Sequence, residues 1–203
     1  MCGFSHEGDG MADEVVWCVT KETVRIDSTQ PAINQYSPHA AGMLKEILEY
    51  RLLVPRSACE TDEELLQVIP YIVVNCGEHV MAYSRAGGEP RLDQRSSIGF
   101  GGHINIGDET YADGAAREGR EELRGFRDKC LSPALGFIFD DSNPVGRVHL
   151  GVLHVYDFTK APVVPAEVHP HSWLPLKSVR DWLSMENWSQ TAARMIQESS
   201  RGS

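Results

Sequence analysis

The sequence lacks any pair of cysteines in C-x-x-C spacing, and its cysteines are few and scattered. There are five, an odd number, at Cys2, Cys18, Cys59, Cys76 and Cys130. Zinc knuckles and disulfide frameworks need closely spaced or evenly paired cysteines, so the pattern argues against both. It is typical of a protein from a reducing compartment, and we therefore expect a cytoplasmic location.

Long apolar segments are missing as well. No apolar run approaches the roughly 20 residues that a helix needs to cross a bilayer. The first residues, 1–13, are polar and rich in glycine, without the basic and apolar regions of a secretory leader. We therefore expect no membrane partner, no leader, and a disordered N-terminus over this range.

Positive charge is in short supply. The chain has 19 Lys and Arg against 29 Asp and Glu, which gives a formal net charge of -10. Nucleic-acid polymers are bound by clustered Lys and Arg, so this balance argues against such a partner. A small anionic phosphate compound remains compatible with it, because a bound metal ion can bridge the negative charges.

The stretch 101–123, GGHINIGDETYADGAAREGREEL, carries the strongest chemical signal. If its second half is helical, Glu118 lies on the same side as Glu121 and Glu122, because residues three and four apart are neighbours on a helix. Three carboxylates on one stripe repel each other, and a hard divalent cation such as Mg²⁺ would neutralise them. With Gly101-Gly102 as a turn that a ligand can approach closely, the pattern predicts a Mg²⁺ site that handles a diphosphate.

Local signals also predict how this stretch is built. Thr110 can cap the helix with Asp113 as its reciprocal partner three residues later. Four residues, Ala112, Ala116, Gly119 and Leu123, would then share one face, and three of them are small enough for close packing against a sheet.

The rest of the chain alternates strand and helix patterns. Residues 69–75 and 78–85 predict a hairpin, in which Pro70 indicates a strand start or an edge strand. The segment 61–67, TDEELLQ, predicts a short helix capped by Thr61. The resulting division of the chain is a disordered N-terminus (1–13), an N-terminal extension packed on the domain (14–67), a catalytic-type domain (68–198) and a frayed tail (199–203).

At 101–123 the sequence resembles the signature box of the Nudix hydrolases, and Arg117, Glu118, Glu121 and Glu122 match its R-E-x-x-E-E core. Counting back from Arg117 places Glu109 at the box's first glutamate, whereas counting forward from Gly102 places Asp108 there. A one-residue insertion reconciles the two counts. Gly119 stands where the family has an aliphatic residue.

The resemblance implies an α/β fold, the Nudix α/β/α sandwich with a mixed central sheet, to which the N-terminal strand and helix are added. It implies that Glu118, Glu121 and Glu122 bind Mg²⁺ or Mn²⁺ and that Arg117 orients them. Gly101 and Gly102 would contact the diphosphate. The implied activity is a Mg²⁺-dependent pyrophosphohydrolase, a hydrolase of acid anhydrides acting on a small nucleoside diphosphate derivative.

Several other residues keep two interpretations. Arg85, Arg91 and Arg95 could clamp substrate phosphates or could be ordinary loop charges. Asp140 and Asp141 could supply a general base, although turn formation is the more usual role of such residues. In some Nudix members an acid shortly before a C-terminal tryptophan is catalytic, and here Glu167 precedes Trp173.

Two alternative functions also stay open at this point. The chain could be a non-catalytic nucleotide-sensing or protein-binding module of the same fold. It could instead be a diphosphate-using isomerase, in which Cys76 or Cys130 would have to lie in the pocket. The segment 14–67 could complete the sheet, cover the cleft or form a homodimer interface.

Overall fold

The computed structural model describes residues 13–26, 32–84, 96–166, 171–181 and 185–201. Within them, strands β1 to β11 are, in chain order, Val15–Thr20, Leu52–Pro55, Leu65–Cys76, His79–Ser84, Ser96–Ser97, Gly99–Phe100, Leu123–Arg124, Gly136–Ile138, His149–Asp157, Val164–Pro165 and His171–Pro175. Helices α1 to α5 are Lys21–Val24, Ala40–Leu48, Arg56–Cys59, Tyr111–Glu122 and Asn187–Arg201. Short 3₁₀ turns lie at Asp128–Cys130, Gly146–Val148 and Leu176–Asp181.

Strand β3 organises the main sheet. Along one edge it pairs in parallel with β9 over nine consecutive residue pairs, from Gln67 opposite His149 to Asn75 opposite Asp157. Along its other edge it pairs antiparallel with β1 at its start and with β6 and β4 near its end. The sheet is therefore mixed, as predicted, and β3 is buried along most of its length.

Pro70 lies in the middle of this central strand, so its assignment to a strand start or an edge was wrong. The pairing of β1 with β3 ends at Gln67, and the pairing of β6 begins at Ile72. Pro70 falls in the gap between them, where β3 has no antiparallel neighbour. A residue without a backbone N–H is tolerated in such a gap because the ladder with β1 and β6 is already interrupted there.

The two faces of β3 carry different helices. Leu66 and Val68 point to the face that packs on Leu44 and Ile47 of α2. Tyr71 and Val73 point to the opposite face, where they pack with Ala192, Ala193 and Met195 of α5. This alternation follows from the two-residue period of a strand. It confirms the predicted sheet with helices on both of its faces.

The N-terminal segment joins the sheet. Strand β1 pairs with both β2 and β3, and it also holds the loop that follows Gly102. Trp17 donates its backbone N–H to the carbonyl of Ile104 at 2.8 Å, and Ile106 donates to Val15 at 3.0 Å. Of the roles left open for this segment, completing the sheet is one that it takes. The domain boundary after residue 67 stays a prediction.

The predicted helix at 61–67 is wrong. These residues form turns up to Glu64, and β3 begins at Leu65. Burial of Leu66 and Gln67 between β1 and β9 outweighed the local helix signal, as tertiary pairing often does. Separately, among the described residues no helix is both long and apolar enough to traverse a bilayer.

Candidate active site

The loop after β6 passes very close to β3. Gly101 has a φ of +142°, and a Cβ built on it would lie 1.9 Å from the carbonyl oxygen of Pro70. No other residue fits there without moving the backbone. At Gly102 a Cβ would lie 2.5 Å from Oε2 of Glu118. The predicted glycine bend is therefore present, and it places the backbone directly against a carboxylate of α4.

Helix α4 begins as its sequence predicted. Asp113 donates its backbone N–H to Oγ1 of Thr110 at 3.2 Å, and Thr110 donates its own N–H to Oδ2 of Asp113 at 3.0 Å. This reciprocal capping box satisfies N–H groups that the first helical turn leaves unpaired.

Three of the four residues predicted for the buried face of α4 are buried, namely Ala116, Gly119 and Leu123. Gly114 and Gly119 are buried, whereas Ala112 is exposed. A Cβ at Gly119 would lie 2.5 Å from the ring of Phe126, and one at Gly114 would lie 2.5 Å from Ile104. Both glycines therefore allow the close packing that the sequence suggested for Gly119 alone.

Arg117 gathers the charged groups of this site. Its Nη1 donates to Oε1 of Glu118 at 2.6 Å and to Oε2 of Glu121 at 3.2 Å. Its Nε and Nη2 donate to the two carboxylate oxygens of Asp108, and Nη2 also reaches the carbonyl of His103 at 2.8 Å. These contacts put the guanidinium of Arg117 beside Glu118 and Glu121, and its orienting role stays a prediction. Asp108 is the partner that sequence reasoning did not assign, although one of the two box counts had pointed to it.

The three glutamates are not equivalent. Glu118 is only 7% exposed, Glu122 is half-buried, and Glu121 is exposed to solvent. Burial raises the pKa of Glu118, the contact with Arg117 lowers it, and the charges of Glu121 and Glu122 raise it further, with a net rise. A buried carboxylate that feels two like charges gains from a nearby cation.

The donor set fits a hard divalent ion in its chemistry. All three candidate ligands are carboxylates, which Mg²⁺ and Mn²⁺ prefer, and the buried Glu118 adjoins two further acids. The described residues do not, however, form a ready-made group of three acidic, histidine or cysteine ligands. Glu121 is turned toward Arg117, so ion binding by all three glutamates would require its side chain to change partner.

A cleft of about 520 Å³ borders the glycine bend. Gly101, Gly102 and His103 form part of its wall, and Tyr71 lies on its β3 side. The remaining lining residues include Asp140, Ser142 to Gly146, His149, and Glu186 to Trp188. The three glutamates of α4 do not line this cleft themselves, and Gly102 is the point at which the cleft and Glu118 meet.

Two histidines in the cleft wall are shielded from protonation. Burial, with the charges of Arg56 and the neighbouring His149 acting in the same direction, lowers the pKa of His103 to about 4. Burial also lowers the pKa of His149, whose Nδ1–H donates to the carbonyl of Val145 at 2.7 Å. Both rings are therefore neutral near pH 7.

Several of the other residues proposed from the sequence lie outside the described residues or lie away from the cleft. Arg85, Arg91, Arg95 and Glu167 lie outside the described residues. Trp173 packs edge-on against Phe158 and is absent from the cleft lining. A different acid and tryptophan, Glu186 and Trp188, line the cleft, and sequence reasoning missed them. The same sequence pattern, an acid shortly before a C-terminal tryptophan, could have found this second pair.

Asp140 takes part in a turn. Its carboxylate accepts from the backbone N–H of Ser142 and from the side-chain amides of Asn143 and Asn187, each at 3.0 Å. These contacts agree with the turn-forming interpretation, and they also join the 140–146 loop to the start of α5.

Comparison with known proteins identifies the fold of this chain. No protein-family model matches the chain. Protein YmaB of Bacillus subtilis (strain 168) is 28% identical over 205 residues, which cover 93% of this chain and 100% of that protein. The crystal structure of Tm1382, provisionally assigned as a Nudix hydrolase, superposes with a TM-score of 0.72 at 24% identity, over 92% of this chain and 100% of Tm1382. The fold is therefore the Nudix fold, as the resemblance implied.

A weaker structural similarity extends to a crystal structure of an ADP compounds hydrolase. The TM-score is 0.49 at 15% identity, over 75% of this chain and 78% of that one.

Proposed function

We propose that this protein is a Mg²⁺- or Mn²⁺-dependent pyrophosphohydrolase of the Nudix type. It hydrolyses a diphosphate linkage in a nucleoside diphosphate derivative. The observation that carries the proposal is the contact between Glu118 and Gly102, which puts a buried, Arg117-bound carboxylate at the edge of a cleft. The Nudix fold supports the same conclusion.

In this proposal Glu118, Glu121 and Glu122 hold the divalent ion. When bound, the ion neutralises charge on phosphoryl oxygens and lowers the pKa of a coordinated water. Arg117 holds Glu118, and Glu121, which accepts from the same guanidinium nitrogen, would leave that contact to bind the ion. A carboxylate of this group, or a nearby acid, accepts a proton from the attacking water. The water adds to one phosphorus, the P–O bond to the bridging oxygen breaks, and two phosphate-bearing products leave.

Gly101 and Gly102 would bring backbone groups to the diphosphate, since neither carries a side chain that blocks the approach. Arg85 and Arg95 remain proposed phosphate contacts, and the alternative for both is ordinary loop charge. A homodimer stays a hypothesis.

The proposal is tested by hydrolysis of a panel of nucleoside diphosphate derivatives and dinucleotides, with Mg²⁺ or Mn²⁺ omitted and then restored. We expect turnover that requires the metal, and a loss of at least about 100-fold in Glu118→Gln, Glu121→Gln and Glu122→Gln. Glu46→Gln, an exposed glutamate of α2, is the matched control and should keep wild-type turnover.

If the three box variants matched the wild type, the metal assignment would be wrong. Metal-independent binding with no turnover across the panel would instead support the non-catalytic module.

A further inference from the structure

The cleft beside the glycine bend has an aromatic wall. Trp188 of α5 lines it and is half-buried, and its ring meets that of Tyr71 edge-on, with centroids 5.5 Å apart. Two glycines let these rings approach the strands. A Cβ at Gly151 would lie 2.6 Å from Cζ3 of Trp188, and one at Gly99 would lie 1.9 Å from Cζ of Tyr71. Tyr71 is only 5% exposed, so the half-buried Trp188 supplies the aromatic surface on which a flat ring can stack.

The side-chain amide of Asn187, next to Trp188 at the rim of the cleft, has a fixed orientation. The Nδ2 group of Asn187 donates to Oδ2 of Asp140 at 3.0 Å and to Oγ of Ser142 at 3.1 Å. Because both contacts use the amide nitrogen, the amide oxygen of Asn187 is turned away from Asp140. Asp140 is itself held by Ser142 and Asn143, so it keeps this amide orientation from reversing.

Charge at this end of the cleft disfavours a phosphate. Asp140 and Glu186 are acids, and none of the described residues that line the cleft is Lys or Arg. An anionic group would be repelled here, whereas a neutral group with N–H or O–H donors would find acceptors. The metal-binding carboxylates meet the cleft at Gly102, so a diphosphate there leaves the aromatic end for the rest of the substrate.

We propose that the aromatic end of this cleft binds the nucleoside half of the substrate as an amino-bearing purine. Its ring stacks on Trp188, and its exocyclic amino group donates to Oδ1 of Asn187. Asp140 is a positioning residue, because it acts through the amide of Asn187. This inference rests on the proposed function for the identity of the substrate, but nucleoside binding itself needs neither metal nor catalysis.

The test is tryptophan fluorescence of the full chain titrated with adenosine and with inosine in the presence of a metal chelator. Adenosine carries the amino group, and inosine carries a carbonyl at the same position. We expect saturable quenching by adenosine and at least about fivefold weaker binding of inosine, as the loss of one hydrogen bond to a fixed acceptor predicts. Trp188→Ala should abolish the quenching, and Trp173→Phe, whose ring lies elsewhere, should keep it.

Two variants separate stacking from recognition of the amino group. Asn187→Ala should keep quenching by adenosine but bring the affinities of adenosine and inosine within about twofold of each other. Asp140→Ala should do the same by releasing the Asn187 amide, which can then turn its nitrogen toward inosine. Thr191→Ala, one helical turn further along α5 and outside the cleft lining, is the control and should retain the preference for adenosine.

The outcomes also separate this inference from the proposed hydrolysis. Adenosine binding without any turnover would leave the nucleoside site standing and remove the pyrophosphohydrolase. Turnover with an unchanged KM in Trp188→Ala, or equal affinity of the wild type for adenosine and inosine, would overturn the nucleoside site and leave the hydrolase.

Discussion

Arg117 holds Asp108 in a two-pronged contact, with its Nε 3.1 Å from one carboxylate oxygen and its Nη2 2.9 Å from the other. The Asp108 side chain is only 8% exposed. The Arg117 hydrogen bond lowers the pKa of Asp108, against the opposing effect of burial. The pair ties the loop after the glycine bend to the middle of α4, and so fixes Glu118 relative to Gly102.

This pair predicts that Arg117 cannot be replaced by lysine. A lysine ammonium cannot reproduce the planar fork that reaches Asp108, His103 and Glu118 together. We expect Arg117→Lys to lower the free energy of unfolding by about 1–3 kcal/mol. We expect it to lower turnover by at least about tenfold, because the glutamates lose their common anchor.

Arg120→Lys is the matched control for this change. Arg120 lies on the same helix, is exposed, and contacts Asp128 at the surface. Its replacement should change the free energy of unfolding by less than about 0.5 kcal/mol. Urea denaturation measures the loss in the free energy of unfolding for each variant. Equal losses in Arg117→Lys and Arg120→Lys would contradict the role assigned to Arg117.

The contact between Gly102 and Glu118 predicts an effect of a single methyl group. In Gly102→Ala the new Cβ would lie 2.5 Å from Oε2 and 3.0 Å from Cδ of Glu118, so the carboxylate must move. Since Arg117 holds that carboxylate, we expect turnover to fall at least about tenfold while the fold is retained. Gly107→Ala, where nothing lies within 4 Å, should leave turnover unchanged. Steady-state kinetics with circular dichroism separates loss of activity from unfolding.

Substitution of two helix glycines by alanine should change the stability of the protein in opposite directions. Gly119→Ala places a Cβ 2.5 Å from the ring of the buried Phe126, so we expect a loss of about 1–3 kcal/mol from overpacking. Gly42→Ala on α2 meets nothing within 4 Å and should gain about 0.5–1 kcal/mol from helix propensity. Thermal denaturation of both variants checks the signs, and stabilisation by Gly119→Ala would disprove the close packing of α4 on Phe126.

His154 predicts how stability depends on pH. Its Nδ1–H donates to the carbonyl of Ser132 at 2.8 Å, so its Nε2 accepts from the hydroxyl of Tyr111 at 3.0 Å. Burial lowers its pKa from 6.5 to about 4. The unfolded chain therefore binds a proton at a higher pH than the folded chain does. The contribution of neutral His154 to stability is fully present above pH 6.5. It is lost as the pH falls towards 4, which lowers the free energy of unfolding by up to about 3 kcal/mol.

Urea denaturation of wild type and His154→Gln at several pH values between 7 and 4 measures this effect. The variant should start less stable at pH 7 and lose stability less steeply, while His103 and His149 still contribute in the same direction. His79→Gln, at an exposed site, should keep the wild-type slope. An identical slope in His154→Gln would show that His154 does not titrate as its burial implies.

Features that depend only on residues close together in the sequence were predicted correctly. The capping box of Thr110 and Asp113 needs only a three-residue spacing, and the glycine bend needs only Gly101-Gly102. Individual strands and helices followed from their two- and 3.6-residue periods, whereas the mixed sheet was implied by the Nudix resemblance. The helix prediction for 61–67 was wrong because the helix signal came from neighbouring residues. The burial of its last residues depends instead on pairing with β1 and β9, which are distant in the sequence.

The sequence by itself determined which residues carry charge, where α4 begins, and that three glutamates lie within one helical turn of each other. Only the tertiary structure decided that Asp108 is a partner of Arg117, that Gly102 meets Glu118, and that Trp188 rather than Trp173 lines the cleft. The reason is physical. Spacing along a helix or strand is set by backbone geometry, but contacts between distant segments depend on how β1, β3 and α5 pack together.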